Sequence, residues 1–412
     1  MHNETLIPHL FRTEYRKIVA VLCRQFGLQQ MEIAEDIASD TFLAAAETWP
    51  LKGIPQQPAA WLYQVAKNKT KNYLQRGLLF ASKISPEIKS STAESYEQEI
   101  DLSPGNVNDS QLQMMFAVCH PSISKEAQVG LSLRILCGFG IEEIANAFLT
   151  GKETINKRLF RAREKLKQEN IRIELPSPTE MDARLSAVLT IIYLLFNEGY
   201  YSVSQHTTLR KDLCMEAMRL CTMLVENEST NKPAVNALLA LMCFHASRFD
   251  ARINEQGELV LYEEQDTSLW NTDLISKGGY FLHRAASGNQ LTKYHLEAGI
   301  AYWNTQKEDT PEKWQHILQY YNLLLQIEYA PIAALNRTYA LSKVYGKQTG
   351  ITAAEQLALT GSYFYFALLG ELYTGVDNIK AQQHFEKALA LAKTPADKNV
   401  IQKKMNKLSQ TS

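Results

Sequence analysis

The chain has 412 residues, 45% of them hydrophobic and 21% charged, with a formal net charge of −1. That length exceeds one ordinary core and predicts two or three domains, and the composition excludes a chain that is disordered throughout. The longest apolar stretch, 187–196, falls well short of the roughly 20 residues a membrane-spanning helix needs, and Glu4, His9, Arg12 and Glu14 in the first turns give no signal peptide, so a cytoplasmic protein with no membrane partner is expected.

Apolar residues recur at three- and four-residue spacing almost everywhere, which predicts an all-α fold. In chain order, helices are expected over 6–26, 31–48 and 57–75, with Gly27 and the stretch from Pro50 to Pro58 as breaks. They form a first module, residues 1–78. Residues 79–109 read as a flexible acidic linker, with six acids (Glu87, Glu94, Glu97, Glu99, Asp101, Asp109) against Lys83 and Lys89 from 82 onward and little apolar periodicity. A second helical module, residues 110–175, is closed by Pro176-Ser177-Pro178. An extension of helices follows over 176–290, and stacked helix pairs over 291–412. Only 258–262 looks extended. Phe366-x-x-Leu369-Gly370-x-x-Tyr373 with Ala381, Phe385 and Ala388 resembles one tetratricopeptide unit, one residue short in its turn.

The most informative stretch is 140–165. A short helix holding Ile144, Ala145 and Phe148 meets a turn at Thr150-Gly151, and a second helix runs past Leu166, which is helix-turn-helix spacing. At 100° per residue Ile155, Leu159, Ala162 and Leu166 form an inward stripe, while Thr154, Lys157 and Arg161 point away, flanked by Arg158 and Lys165. From Lys152 to Glu169 there are seven basic and three acidic residues. An exposed basic second helix suits a DNA major groove, where Lys and Arg neutralise phosphates and the residues nearest the helix start reach base edges.

A second basic run closes the first module: Lys67-Asn68-Lys69-Thr70-Lys71-Asn72-Tyr73-Leu74-Gln75-Arg76, four positive charges and no acid. Cations, Asn and nearby aromatics suit a DNA backbone and an unstacked base. Trp61, which opens this helix, is expected in the core, and the Lys69 stem is expected along the apolar stripe with its amine reaching out. Upstream, residues 32–42 form an amphipathic helix with an acidic face, a candidate protein-docking surface.

No Gly-rich phosphate loop, His-Glu-x-x-His or Gly-x-Ser-x-Gly motif occurs, so neither catalysis nor a cofactor is expected. Asn197-Glu198-Gly199-Tyr200 reads as a helix end capped by Gly199. The six cysteines are scattered without Cys-x-x-Cys spacing and are read as buried hydrophobes; His283, His295 and His316 are placed on separate helices, and no metal is expected.

Together these residues resemble the extracytoplasmic-function sigma factors, group IV of the sigma-70 family. Asp36-Ile37-Ala38-Ser39-Asp40-Thr41-Phe42 with Trp49 resembles the polymerase-clamp-binding part of region 2. The segment from Pro58 to Asn68 resembles its strand-opening, −10-reading part, and 140–165 resembles the −35-reading helix-turn-helix of region 4. Asn72 stands where many relatives have an acid. The remainder, through pieces such as Asp212-Leu213-Cys214-x-Glu216 and Glu264-Gln265-Asp266-x-Ser268-Leu269-Trp270, resembles the long C-terminal extension of one subgroup. The resemblance implies binding of core RNA polymerase (clamp and flap) through Asp36, Asp40, Phe42 and Trp49. It implies contact with the −10 element through Trp61, Lys67, Asn68, Lys69, Lys71, Asn72 and Arg76, and with the −35 element through Lys152, Thr154, Asn156, Lys157, Arg158, Arg161 and Lys165. It also implies tuning by the extension, through a regulatory protein or an intramolecular contact. Two other readings stay open: a stand-alone helix-turn-helix regulator whose helical repeats sense a ligand or protein, and a repeat scaffold.

Overall fold

The computed structural model describes residues 3–84, 100–148, 150–201, 207–254 and 260–411. Among the described residues there are eighteen α-helices and no strand, as the three- and four-residue periodicity requires. The chain divides into two units, Met1–Leu224 and Val225–Ser412.

The first unit holds α1 (Asn3–Phe26), α2 (Met31–Lys52), α3 (Pro58–Ile84), α4 (Pro104–Val118), α5 (Lys125–Leu131), α6 (Ile141–Ala147), α7 (Lys152–Gln168), α8 (Met181–Tyr201) and α9 (Thr207–Glu226), with one π-helical turn, Ser132–Leu136, after α5. Tyr15, Ile18, Val19, Leu22 and Cys23 recur on one face of α1 and are all buried. That face packs against α2, α4 and the π-helical turn, so the core runs through both N-terminal modules rather than stopping at either. Each such aliphatic or aromatic side chain contributes about 1.5–3 kcal/mol on burial. Close approach is enforced at Gly138, whose φ is +74° and where a Cβ would stand 3.0 Å from the Arg12 carbonyl oxygen.

Four expected boundaries shift. Pro50 does not break α2: it sits in the last turn, where its missing N–H forfeits one hydrogen bond, and buried Trp49 anchors the helix until Gly53 (φ +84°) ends it, donating to the Trp49 carbonyl at 3.0 Å. Helix α3 continues to Ile84, into the expected linker. At the linker's other end α4 begins at Pro104, because proline suits the first turn of a helix and Ile100, Leu102 and Val107 are buried there; residues 85–99 lie outside the described residues. Gly199 is no cap, since α8 runs through it to Tyr201 and Tyr200 stacks on Phe196 one turn back at 5.7 Å.

The second unit consists of α10 (Pro233–Ala246), α11 (Thr272–Ala285), α12 (Lys293–Trp303), α13 (Pro311–Ile327), α14 (Pro331–Tyr345), α15 (Lys347–Leu357), α16 (Tyr363–Tyr373), α17 (Asn378–Leu391) and α18 (Pro395–Thr411), with three short 3-10 turns between α10 and α11. One of these turns, Tyr262–Glu264, takes up part of the segment expected to be extended; 258 and 259 lie outside the described residues. Successive helices from α12 to α18 pack pairwise. In the pair α16–α17, a Cβ at Gly370 would come within 2.6 Å of the Phe385 ring. All six cysteines are buried, no described helix is long and apolar enough to cross a membrane, and no group of three metal-ligating side chains gathers among the described residues.

Candidate nucleic-acid and polymerase interface

Helices α6 and α7 form the anticipated helix-turn-helix. The Gly140 N–H donates to the Glu143 carboxylate at 2.7 Å, fixing the start of α6. On α7, Ile155, Leu159, Ala162 and Leu166 are 0–4% exposed, the stripe that the sequence places inward. Lys152, Thr154, Asn156, Lys157, Arg161 and Lys165 are exposed and Arg158 half-buried. Thr154, Lys157, Arg158, Arg161 and Lys165 share one open recess with Ser122 and Ser124. Lys152 pairs with Glu142 (2.9 Å), Lys157 with Glu153 (2.6 Å) and Lys165 with Glu169 (2.6 Å), while Arg158 lies over the Phe148 ring at 5.7 Å. Such exposed pairs contribute little and yield readily to a phosphate, whose geometry suits Arg better.

On α2, Asp36 and Asp40 are exposed. Phe42 and Trp49 are not, at 4% and 2% exposure. Phe42 lies edge-on to Phe11 at 5.1 Å and Trp49 edge-on to Trp61 at 5.4 Å. The expectation that these two rings touch polymerase is therefore corrected: they hold α2 from beneath. Trp61 is half-buried against Trp49, in keeping with a core role. Along α3, Asn68, Lys71, Asn72 and Arg76 are exposed, and Lys67 and Lys69 half-buried. Lys69 reaches Asp40 at 3.6 Å, so the acidic face of α2 and the basic run of α3 adjoin.

The sequence reading missed what binds the modules to each other. Arg163 of α7 donates to Glu35 of α2 at 2.9 Å, and the Arg134 Nε lies 3.6 Å from the same carboxylate oxygen. Arg12 and Arg16, one turn apart on α1, meet Asp212 and Glu216, one turn apart on α9, each at 2.5 Å. Arg12 also reaches Glu143 at 2.8 Å, and Arg219 donates to the Leu136 carbonyl at 2.8 Å. Burial pushes the Glu216 carboxyl up, but Arg219 and Arg16 more than reverse this and leave it below the ordinary carboxylate range. The i, i+4 spacing of opposite charges on α1 and α9 is the one sequence signal that pointed to this contact.

Basic faces on α3 and α7 thus lie within one helical unit, and further helices follow it. Residues 10–77 match sigma-70 region 2, and residues 184–286 match a family of unknown function (DUF6596). The chain is 30% identical over 398 residues to an uncharacterized protein of Rhizobium meliloti (strain 1021), across 95% of this chain and 93% of that one, and it belongs to the same family. The N-terminal region 2 supports a sigma-70 family factor, a class of transcription factors that binds core RNA polymerase and promoter DNA. No solved structure matches.

Proposed function

We propose that the chain is a promoter-directing initiation subunit of the extracytoplasmic-function type, reading a −10 element with α3 and a −35 element with α7, its C-terminal helices modulating that activity. The observation that carries this reading is the pairing of a region 2 match with a separate helix-turn-helix, 140–168, whose outward face is basic. Asp36 and Asp40 dock on polymerase; Lys67, Asn68, Lys69, Lys71, Asn72 and Arg76 hold the opened strand; Thr154, Asn156, Lys157, Arg158 and Arg161 hold the upstream duplex. The contacts from Asp212, Glu216 and Arg219 support a modulating role for the extension, since its second helix grips α1 and the turn before α6 directly. A stand-alone regulator would leave residues 10–77 without a use.

Run-off transcription from a genomic fragment library, with core polymerase alone and with the protein added, tests the reading. New start sites that depend on the protein and weaken when Arg158 and Arg161 are both changed to Ala are the expected result. No new starts, together with no co-purification of polymerase, would overturn it.

A further inference from the structure

In the second unit, Arg248, Lys307 and Lys313 of α13 gather on one pair of aromatic rings, Tyr262 and Trp270. Arg248, just past α10, places its guanidinium 5.4 Å from the Tyr262 ring centroid and 5.9 Å from that of Trp270, and the two rings are 6.3 Å apart. Lys313 lies over Tyr262 at 5.3 Å and Lys307 over Trp270 at 5.9 Å. Lys307 stands exposed at the rim, while Arg248 and Lys313 are only 8% and 1% exposed.

Buried cations in a folded chain are ordinarily neutralised by a carboxylate, because desolvating an unpaired charge is costly. Among the described residues no acid lies within ion-pair distance of Arg248, Lys307 or Lys313. Lys313 donates instead to two neutral acceptors, the Tyr262 hydroxyl at 3.1 Å and the Gln306 carbonyl at 2.6 Å, and Lys307 to the Gln265 carbonyl. Asp309, the acid whose field reaches Lys313, is itself engaged by Lys343 at 3.0 Å and by the Trp314 indole N–H. Burial lowers the Lys313 pKa; Asp309 opposes this, and Arg248, Lys343 and Lys307 add to it.

Three buried polar atoms in the same cluster have no hydrogen-bond partner: the Arg248 Nε–H, the Trp270 Nε1–H and the Gln265 Oε1. Two unfilled donors beside three cations are what an oxyanion satisfies, and a guanidinium fork matches carboxylate or phosphate geometry. The Gln265 oxygen offers an acceptor for a hydroxyl beside the charge. We propose that Arg248, Lys307, Lys313 and Trp270 form a binding site in the C-terminal extension for a small organic anion, held through its phosphate or carboxylate group. Such a site gives the extension a ligand to sense, and it stands whether or not the chain recruits polymerase.

The experiment is calorimetric titration of the full-length protein with sodium phosphate, sodium succinate and, at matched ionic strength, sodium chloride, accompanied by thermal melts. Saturable heat with phosphate, succinate or both, a raised melting midpoint, and affinity about tenfold weaker in Arg248→Gln and in Lys307→Gln are the expected results. Phosphate alone or succinate alone assigns the group. Lys307 is exposed, so its variant keeps the test decisive if Arg248→Gln folds poorly. No saturable binding of either anion, an equal response to chloride, or unchanged affinity in Lys307→Gln would overturn the proposal; so would an Arg248→Gln protein that melts lower while neither anion affects the wild type, since Arg248 would then be structural only.

Discussion

Arg163 and Glu35 join the two N-terminal modules: the guanidinium of a residue on α7 donates at 2.9 Å to a carboxylate on α2, beside the exposed Asp36. The same α7 presents Lys157, Arg158 and Arg161 outward. On the proposed function the two modules read different promoter elements, so the Arg163–Glu35 contact is expected to part on promoter engagement.

Replacing Glu35 by Gln leaves Arg163 and Arg134 facing a neutral amide in a mostly buried site. The expected cost is about 1–3 kcal/mol in urea unfolding, with faster hydrogen exchange in both α2 and α7. Unchanged exchange in α7 would mean that the pair contributes nothing to docking.

Acid should loosen the grip of α9 on α1. Glu216 has a folded-state pKa below its unfolded value, so its contribution is fully present at neutral pH and disappears as pH falls through and below the ordinary carboxylate range. A stability-against-pH curve should therefore drop on the acid side, and Glu216→Gln should flatten part of that drop while lowering stability at pH 7. An unaltered curve in the variant would assign the acid sensitivity elsewhere.

Trp49 and Phe42 separate packing from docking. Trp49→Ala is expected to cost about 3–5 kcal/mol, as is Phe42→Ala, since each empties a site beneath α2. Because both rings are inaccessible, the folded fraction of a milder variant, Phe42→Leu, should bind polymerase as the wild type does. A loss of affinity without a loss of stability would place Phe42 in the interface after all.

Asp36 and Asp40 should behave in the opposite way. Both are exposed, so changing both to Ala should leave the melting midpoint within error and weaken polymerase binding about threefold to tenfold, with a reduced dependence on salt. Surface plasmon resonance against core polymerase at two ionic strengths reads both effects. Equal affinity for variant and wild type would move the docking surface away from this face.

Much of this arrangement is written locally. The inward stripe of α7 follows from the positions of Ile155, Leu159, Ala162 and Leu166 alone, because helical period and burial are the same fact seen twice. The partner of Glu35 is not local: 128 residues separate it from Arg163, and nothing in an amphipathic segment says which charge on its polar face will be covered. For the same reason Phe42 and Trp49 read as a surface motif until the rings of Phe11 and Trp61 are seen against them. The early start of α4 was hidden by composition, since the few apolar residues of 100–107 are outweighed in any window by the acidic residues before them. Arg12 and Arg16 against Asp212 and Glu216 is the intermediate case, a matched spacing that becomes meaningful only once the two helices are known to be neighbours.

Gly370 tests whether the resemblance of α16 and α17 to a tetratricopeptide pair extends to their packing. In an isolated helix Gly→Ala is favourable by about 0.8–1.0 kcal/mol. At this position the added methyl would stand 2.6 Å from the Phe385 ring, itself 1% exposed, so ring and helix must move apart. Overpacking of this kind costs about 1–3 kcal/mol and outweighs the gain in propensity, so Gly370→Ala is expected to lower the melting midpoint. A double variant, Gly370→Ala with Phe385→Leu, should recover part of the loss by returning the space. If Gly370→Ala alone raised the midpoint, the two helices would be packed more loosely than the Phe385 contact requires, and propensity rather than close approach would govern this part of the chain.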